Sequence, residues 1–439
     1  MNAWRLSTIL ALTLLPAAGF GQTYNLSETP EVGESYRVVI ETGLTGSMKA
    51  TLDGRENVLK INARNDHNIL ERVLVVEKGA IRKSARFYEK AVCTADIADE
   101  KIRRELRDER RTLVAHRIDD QLQCYSPAGP LSRSELEVAS EHFDTQHLTG
   151  ILPQKDVAIE DTWKIGSASV QALCLFDALV SHELNGTLKE VKNGKAVIAI
   201  EGKAAGIELG ASVKLEIKAT AQYDLLTHRL LEIEWRQKDV REQGPASPST
   251  ELESTTIVKR SLLSEEPKEL SRSALAGVPE EEPAELLRLI SFRDQHNRFT
   301  FLHSRDWHVV GQTDHHLVLR LLERGDFIAQ ATMTSWRKED AGKHATPEEF
   351  KKLIGASPNW EMEEIVEAGD VPTEEGRWIY RVTAKGDLDG AKVVQNFLLL
   401  AGPKGDQIIV TFTMKPANSA KIGTRDLALV NSIEFPTKK

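Results

Sequence analysis

Five of the twelve histidines, His296, His303, His308, His315 and His316, fall within 21 residues of one another. Imidazole is the commonest transition-metal ligand, so the cluster raises zinc or copper. The spacing speaks against both. No cysteine is near, Asp306 and Asp314 have no defined pairing with the histidines, and His315 and His316 point to opposite faces of any strand. They are read as surface or loop histidines, and no metal is assigned. His182-Glu183-Leu184-Asn185-Gly186 fails as a zinc-protease helix, because Gly186 stands where the second histidine belongs. Asp387-Leu388-Asp389-Gly390 copies the start of a calcium loop without its later bidentate carboxylate, and reads as a hairpin turn. The Gly-Lys pairs at Gly194, Gly202 and Gly342 are followed by Ala196, Ala204 and His344, where a phosphate loop needs Ser or Thr. No catalytic residue and no cofactor is assigned.

The three cysteines are Cys93, Cys124 and Cys174. Cys93 and Cys124 sit in polar, strand-like contexts and form a possible disulfide; the alternative is three unpaired thiols acting as small hydrophobes. Cys174 lies in the apolar run VQALCLFDALV and reads as core. Trp307, Trp336, Trp360 and Trp378 read as core and strand-edge packing, with a carbohydrate platform as the alternative.

These residues are carried by a chain of 439 residues, 41% hydrophobic and 28% charged, which is long enough for two or three domains and too apolar for wholesale disorder. Its formal charge of −9 lacks the basic footprint of a nucleic-acid binder. Residues 1–21 read as a signal peptide: Arg5, the apolar run Leu6 to Leu15, Pro16, then small residues, with cleavage near residues 19–21. The apolar run is about ten residues against the ~20 needed to span a bilayer, and no later stretch is long and apolar enough to cross as a helix. The expected location is secreted or periplasmic.

From Ser35 to about Leu263 polarity alternates with period two, as in Val213, Leu215, Ile217 and Ala219 against Lys214, Glu216, Lys218 and Thr220. The stretch from His182 to Leu263 reads as a meander of about five antiparallel strands with a tight turn at Asn193-Gly194, and an earlier set runs from Tyr36 to Val92. Asp99 to Arg111 offers opposite charges at i,i+4 and is read as a solvated helix. Ser132 and Glu135 predict a capping box. Ser169 to Val180 is nearly all apolar and is read as a helix that protein or ligand must cover. Residues 264–288 read as an acidic Pro/Glu linker. A second unit, 289–439, has strands near Arg298 to His303, His316 to Leu322, Phe327 to Met333, Trp378 to Ala384, Val393 to Leu400 and Gln407 to Thr413. Its helix opens at Thr346-Pro347-Glu348-Glu349, and a last helix or turn begins at Asp426.

The aromatic strand with Phe299 and Phe301, followed by Trp307 in RFTFLHSRDW, resembles the opening of the PsbP-like fold over residues 289–436. Arg305-Asp306 stand where that family usually has a proline before the tryptophan. The resemblance implies a non-enzymatic accessory or binding module. Residues 22–263, with Glu160-Asp161-Thr162-Trp163, are similar to the secreted half-barrels represented by LolA-like carriers. The expected fold is mainly β and α+β: a curved antiparallel half-barrel sheet with helices, then a PsbP-like α+β sandwich. The expected function is a secreted, non-catalytic binding or envelope-assembly protein. The alternative is a carrier for a lipid or other hydrophobic ligand on the concave face of the first sheet, with Val170, Leu173, Leu175, Phe176 and Leu179 as a possible ligand lid. The expected partner is a protein or a hydrophobic ligand, and no nucleic acid.

Overall fold

The computed structural model describes residues 22–52, 55–98, 100–118, 121–139, 143–373 and 377–436. The signal-peptide reading and the Asp53-Gly54 turn lie outside them. The chain is mainly β, 57% strand and 12% helix, in several open sheets, none closed into a barrel.

In the first part of the chain the elements are β1 (Thr23–Leu26), β2 (Ser35–Leu52), β3 (Arg55–Glu77), β4 (Ala80–Ile97), β5 (Glu100–Glu105), β6 (Thr112–Ile118), β7 (Gln121–Tyr125), β8 (Leu131–Ser132) and helix α1 (Arg133–Ala139). β9 (Lys155–Ala158), β10 (Thr162–Lys164), helix α2 (Ser167–Leu173) and β11 (Ala178–His182) follow. The meander is β12 (Asn185–Lys192), β13 (Lys195–Glu208), β14 (Ala211–Asp224), β15 (Arg229–Arg241) and β16 (Ser249–Leu262), the five strands that the alternation predicts. Asn193 and Gly194 form its first turn with φ of 51° and 75°. All but β1, β8 and β9 join one 13-stranded sheet, ordered β10-β12-β13-β14-β15-β16-β2-β3-β4-β6-β7, with β11 on β13 and β5 on β4. The seam is β16 on β2, running in register from Ser249↔Lys49 to Leu262↔Tyr36.

One face of this sheet buries Tyr36, Val38, Ile69, Val73, Leu215, Ile217, Ile233 and Trp235 beneath a cover of α1, the turn Thr145–Ile151 and α2. Phe143 meets Trp235 edge-on at 5.2 Å. The same face buries charge only where it is paired. Arg86 donates to Glu71 at 2.8 Å and to Thr145 at 2.9 Å, and Arg260 donates to Glu28 at 3.0 Å.

Two predicted helices fold differently. Glu100–Glu105 of the charged stretch is strand β5, pairing Ile97↔Glu100 through Val92↔Glu105, and Asp108–Arg110 is a 3-10 turn; Asp99 lies outside the described residues. The free edge of β4 outcompetes the ~0.3–0.5 kcal/mol of each i,i+4 pair, and Arg104 and Arg107 pair instead with Glu137 and Glu135 of α1. Ser169 to Val180 is helical only as far as Leu173; it turns at Leu175, φ 57°, and continues as β11 on β13.

The stretch 264–288 packs on the opposite face of the sheet. Leu270 is buried against Leu70 and Ala85, and Arg72 donates to the Leu270 carbonyl at 2.8 Å. The Lys83 side chain is buried and donates to the backbone carbonyls of Pro279, Glu280 and Glu281.

The remaining elements are α3 (Glu285–Arg288), β17 (Ile290–Arg293), β18 (Thr300–His303), β19 (Trp307–Gln312), β20 (His316–Glu323), β21 (Asp326–Ser335), α4 (Pro347–Gly355), β22 (Trp360–Asp370), β23 (Trp378–Leu388), β24 (Ala391–Ala401), β25 (Gln407–Met414) and α5 (Arg425–Asn431). A 7-stranded antiparallel sheet runs β19-β20-β21-β25-β24-β23-β22. Its two faces carry separate cores, one around Trp307, Leu319 and Phe412 and one around Phe350, Tyr380 and Phe397. The capping box of α4 is formed, with Glu349 N–H donating to Thr346 Oγ1 at 3.2 Å and Thr346 N–H to Glu349 Oε2 at 2.9 Å. Asp389-Gly390 is a hairpin turn.

The earlier and later parts of the chain meet at several places. β17 pairs in parallel with β8, Ile290↔Leu131 and Ser291↔Ser132. Arg320 donates to the Pro245 carbonyl. The hairpin tips at Gly210 and Gly325 touch so closely that a Cβ on Gly210 would lie 2.2 Å from the Gly325 carbonyl oxygen, and both glycines have positive φ.

Candidate functional site

Beyond its covered core, the apolar face of the 13-stranded sheet continues into a cavity of about 570 Å³, inside the ~300–1,000 Å³ range of small-molecule sites. Thr42 and Leu44 of β2, Ala63 and Asn65 of β3, and Cys93 of β4 line the sheet side. They alternate in step with the core residues Ile40, Ile69 and Ala91 of the same strands. Arg133, Leu136 and Glu137 of α1 and Arg104 of β5 form one wall. Ile290, His303, Arg305, Trp307, His308 and Val309 from the later part of the chain form another, and Leu209 and Ala246 complete the lining. An adjoining opening shares Arg104, Arg133, Glu137 and Val309 and adds Arg293.

Cations outnumber anions in the lining. Glu137 is the one carboxylate, shared between Arg104 and Arg133 Nε, the latter at 2.8 Å. Arg64 is paired to Asp66 at 3.0 Å. Arg305 donates to the backbone carbonyls of Arg288, at 3.1 Å, and Cys124, and among the described residues it has no carboxylate partner. Burial lowers its pKa.

Both histidines of the lining, His303 and His308, are held below the ordinary imidazole range. Burial pushes His303 down to about 4, with Arg133 adding to the effect against the Ser304 hydrogen bond. Burial and Arg133 also lower His308, against the pull of Asp177. His303 Nδ1 donates to the Ser304 carbonyl at 2.8 Å, so Nε2 is a bare acceptor. His303 Nε2 and Asn65 Oδ1 are both buried without a hydrogen-bond partner. Burial raises the Cys93 pKa despite Arg104, so it remains a thiol and is not primed as a nucleophile. The arrangement offers apolar surface, guanidinium donors and unmet acceptors, which suits binding more than reaction.

The predicted site residues fare unevenly. Cys93 faces the cavity; Cys124 lies on β7, and β6 separates it from β4. Two strand spacings, roughly 9–10 Å, exceed the ~7 Å Cα limit for a disulfide, and all three cysteines are thiols. Val170, Leu173 and Phe176 are buried in the first core, and Leu179 packs against it. Leu175 is 38% exposed, and none of the five lid candidates lines the cavity. The cover over the sheet at that end is core, and the cavity is closed instead by α1 and the Ile290–Val309 wall. His296 is exposed and bonds Asp314 at 3.1 Å, and His315 and His316 lie at a turn, as expected of surface histidines. His303 is 4% exposed and His308 is half-buried in β19, both lining the cavity, which corrects the surface reading for these two. Sequence reasoning missed Arg305 as a site residue. Its one signal was the departure from the PsbP-like pattern just before Trp307.

A larger cleft of about 730 Å³ crosses the polar face of the sheet. Two of its ion pairs form across strands, Lys203 with Glu216 at 2.7 Å and Lys238 with Glu253 at 2.8 Å.

No family model and no curated protein matches the chain. Among solved structures, it is similar to cyanobacterial PsbP (CyanoP) from Synechocystis sp. PCC 6803, at 12% identity and TM-score 0.27, over 36% of this chain and 99% of that one. A protein from Bacteroides thetaiotaomicron VPI-5482 aligns at 12% identity and TM-score 0.24, over 34% of this chain; the match spans about half of that protein, 48%. A structure of lipovitellin aligns at 7% identity and TM-score 0.30, over 55% of this chain and 27% of that one. These likenesses are weak and lie at the level of fold.

Proposed function

We propose that this protein binds a small apolar or amphipathic molecule, held where the apolar face of the 13-stranded sheet meets the Ile290–Val309 wall. One observation carries this: the core face ends in a cavity of about 570 Å³ into which Leu44, Leu136, Leu209, Ile290, Trp307 and Val309 present side chains. Apolar lining of this kind gains roughly 25 cal/mol for each Å² that a ligand removes from water. The site thus lies on the sheet face where a carrier would hold its cargo, with a different closure from the one the sequence suggests.

The test is titration of the full chain with the neutral probe N-phenyl-1-naphthylamine, followed by fluorescence, alongside Ala63→Trp and Ala246→Phe, which put bulk into the cavity. Saturable binding by the native chain, lost in either variant that keeps the native circular dichroism spectrum, is the expected result. Undiminished binding in both folded variants would place the site elsewhere.

A further inference from the structure

The composition of the cavity wall goes further than its shape. Its chemistry is of two kinds: a largely desolvated cation without a carboxylate partner among the described residues, and buried acceptors without a protein donor.

Arg305 is the first. Its guanidinium is held by two backbone carbonyls and, among the described residues, by no carboxylate. Arg133 and Arg104 flank the same cavity and divide one carboxylate, Glu137, between them, and Arg133 also donates to the Val309 carbonyl at 2.7 Å. Arg293 lines the adjoining opening. Arg305 and Arg104 are half-buried and Arg133 and Arg293 stand exposed at the rim; guanidinium groups in excess of carboxylates favour a bound anion, and the fork of Arg suits phosphate or carboxylate oxygens. The second kind is His303 Nε2 and Asn65 Oδ1, in side chains each 4% exposed and each without a partner. A buried acceptor left unmet is costly, and only a donor relieves it. A bare carboxylate would answer the arginines and repel these two acceptors. A neutral alcohol would donate to the acceptors and leave the arginines without a counter-ion.

We propose, resting on the cavity reading above, that the ligand is a single-chain amphiphile with an anionic head that also carries free hydroxyl groups. The anion meets Arg305 and Arg133, the hydroxyls donate to His303 Nε2 and Asn65 Oδ1, and the chain lies along Leu44, Leu136 and Trp307. Glycerophosphate-type heads have this chemistry. It is available from a lipid or from a free sugar phosphate or polyol phosphate, and the probes separate the two sources.

The experiment is isothermal titration of the full chain with 1-palmitoyl lysophosphatidylglycerol, 1-monopalmitin, palmitate and glycerol 3-phosphate, repeated on Arg305→Met and Arg133→Gln. The lysophospholipid is expected to bind at least about tenfold more tightly than monopalmitin, which lacks the charge, and than palmitate, which lacks the hydroxyls. Either arginine variant that folds should weaken lysophospholipid binding at least about fivefold more than monopalmitin binding, shrinking the gap between the two. Equal affinity for the lysophospholipid and monopalmitin would overturn the anionic head and leave the apolar cavity standing. Equal affinity for palmitate would overturn the hydroxyl requirement. Glycerol 3-phosphate binding as tightly as the lysophospholipid would overturn the amphiphile. Failure of all the long-chain probes together with the neutral dye would remove the cavity reading itself.

Discussion

The buried ion pair beneath the first core offers the sharpest physical test of the fold. Arg86 and Glu71 are 1% and 4% exposed at their side chains, 2.8 Å apart. At an effective dielectric of about 20 their attraction is roughly 6 kcal/mol, set against a desolvation cost of several kcal/mol for each ion. The pair is therefore close to neutral as a unit, and removing one member exposes the cost of the other. Arg86→Met leaves Glu71 buried with the Ser84 hydroxyl, which donates at 2.8 Å, and should cost about 3–5 kcal/mol. Glu71→Gln keeps part of the hydrogen bonding and should cost about 3 kcal/mol. The double variant should recover at least about 2 kcal/mol of the summed loss. The pH dependence follows from the carboxyl. Burial pushes Glu71 up, but Arg86, Ser84 and Arg260 outweigh it and hold the pKa below the ordinary range. With the folded value below the unfolded one, near 4.3, ionised Glu71 contributes stability that is fully present above about pH 4.3 and is lost as pH falls through the folded value. Urea unfolding followed by tryptophan fluorescence, at pH 7 and in steps below pH 5, measures all of this. Single-variant losses under about 1 kcal/mol that simply add in the double variant would refute the reasoning.

Two further outcomes follow from buried groups elsewhere. His303, depressed by burial to about 4, takes up a proton more readily unfolded than folded. Stability should therefore fall between about pH 6.5 and 4, by up to about 3 kcal/mol, a slope that His303→Asn removes; a ring carbon titrating near pH 6.5 by NMR would contradict it. Lys83→Met leaves the carbonyls of Pro279, Glu280 and Glu281 without their shared donor. Limited proteolysis of 264–288 should quicken while the sheet stays protected, and an unchanged cleavage rate would show that the ammonium does not fasten the strap.

What was legible in the sequence was local. Period-two polarity identified β12 to β16, since a strand with one buried face must alternate. The boxes at Ser132 and Thr346 formed as read, because their partners lie three residues apart. The charged run from Asp99 read as a helix on local grounds, and that reading was wrong over Glu100–Glu105. A free edge on β4, supplied by folding, decided for strand over Glu100–Glu105.

The binding site was not legible, because its residues come from Thr42 to Val309 and meet only once β16 has paired with β2 and β17 with β8. Polarity alternation tells each strand which face to bury and says nothing about its neighbour. Pairing across some two hundred residues is settled by which arrangement buries the most apolar surface without stranding backbone hydrogen bonds. The sequence by itself therefore determined that this chain makes sheets, and roughly where. Tertiary packing alone decided that two of its strand sets would fuse into one sheet, and that Arg305 and His303 would face a cavity at its end.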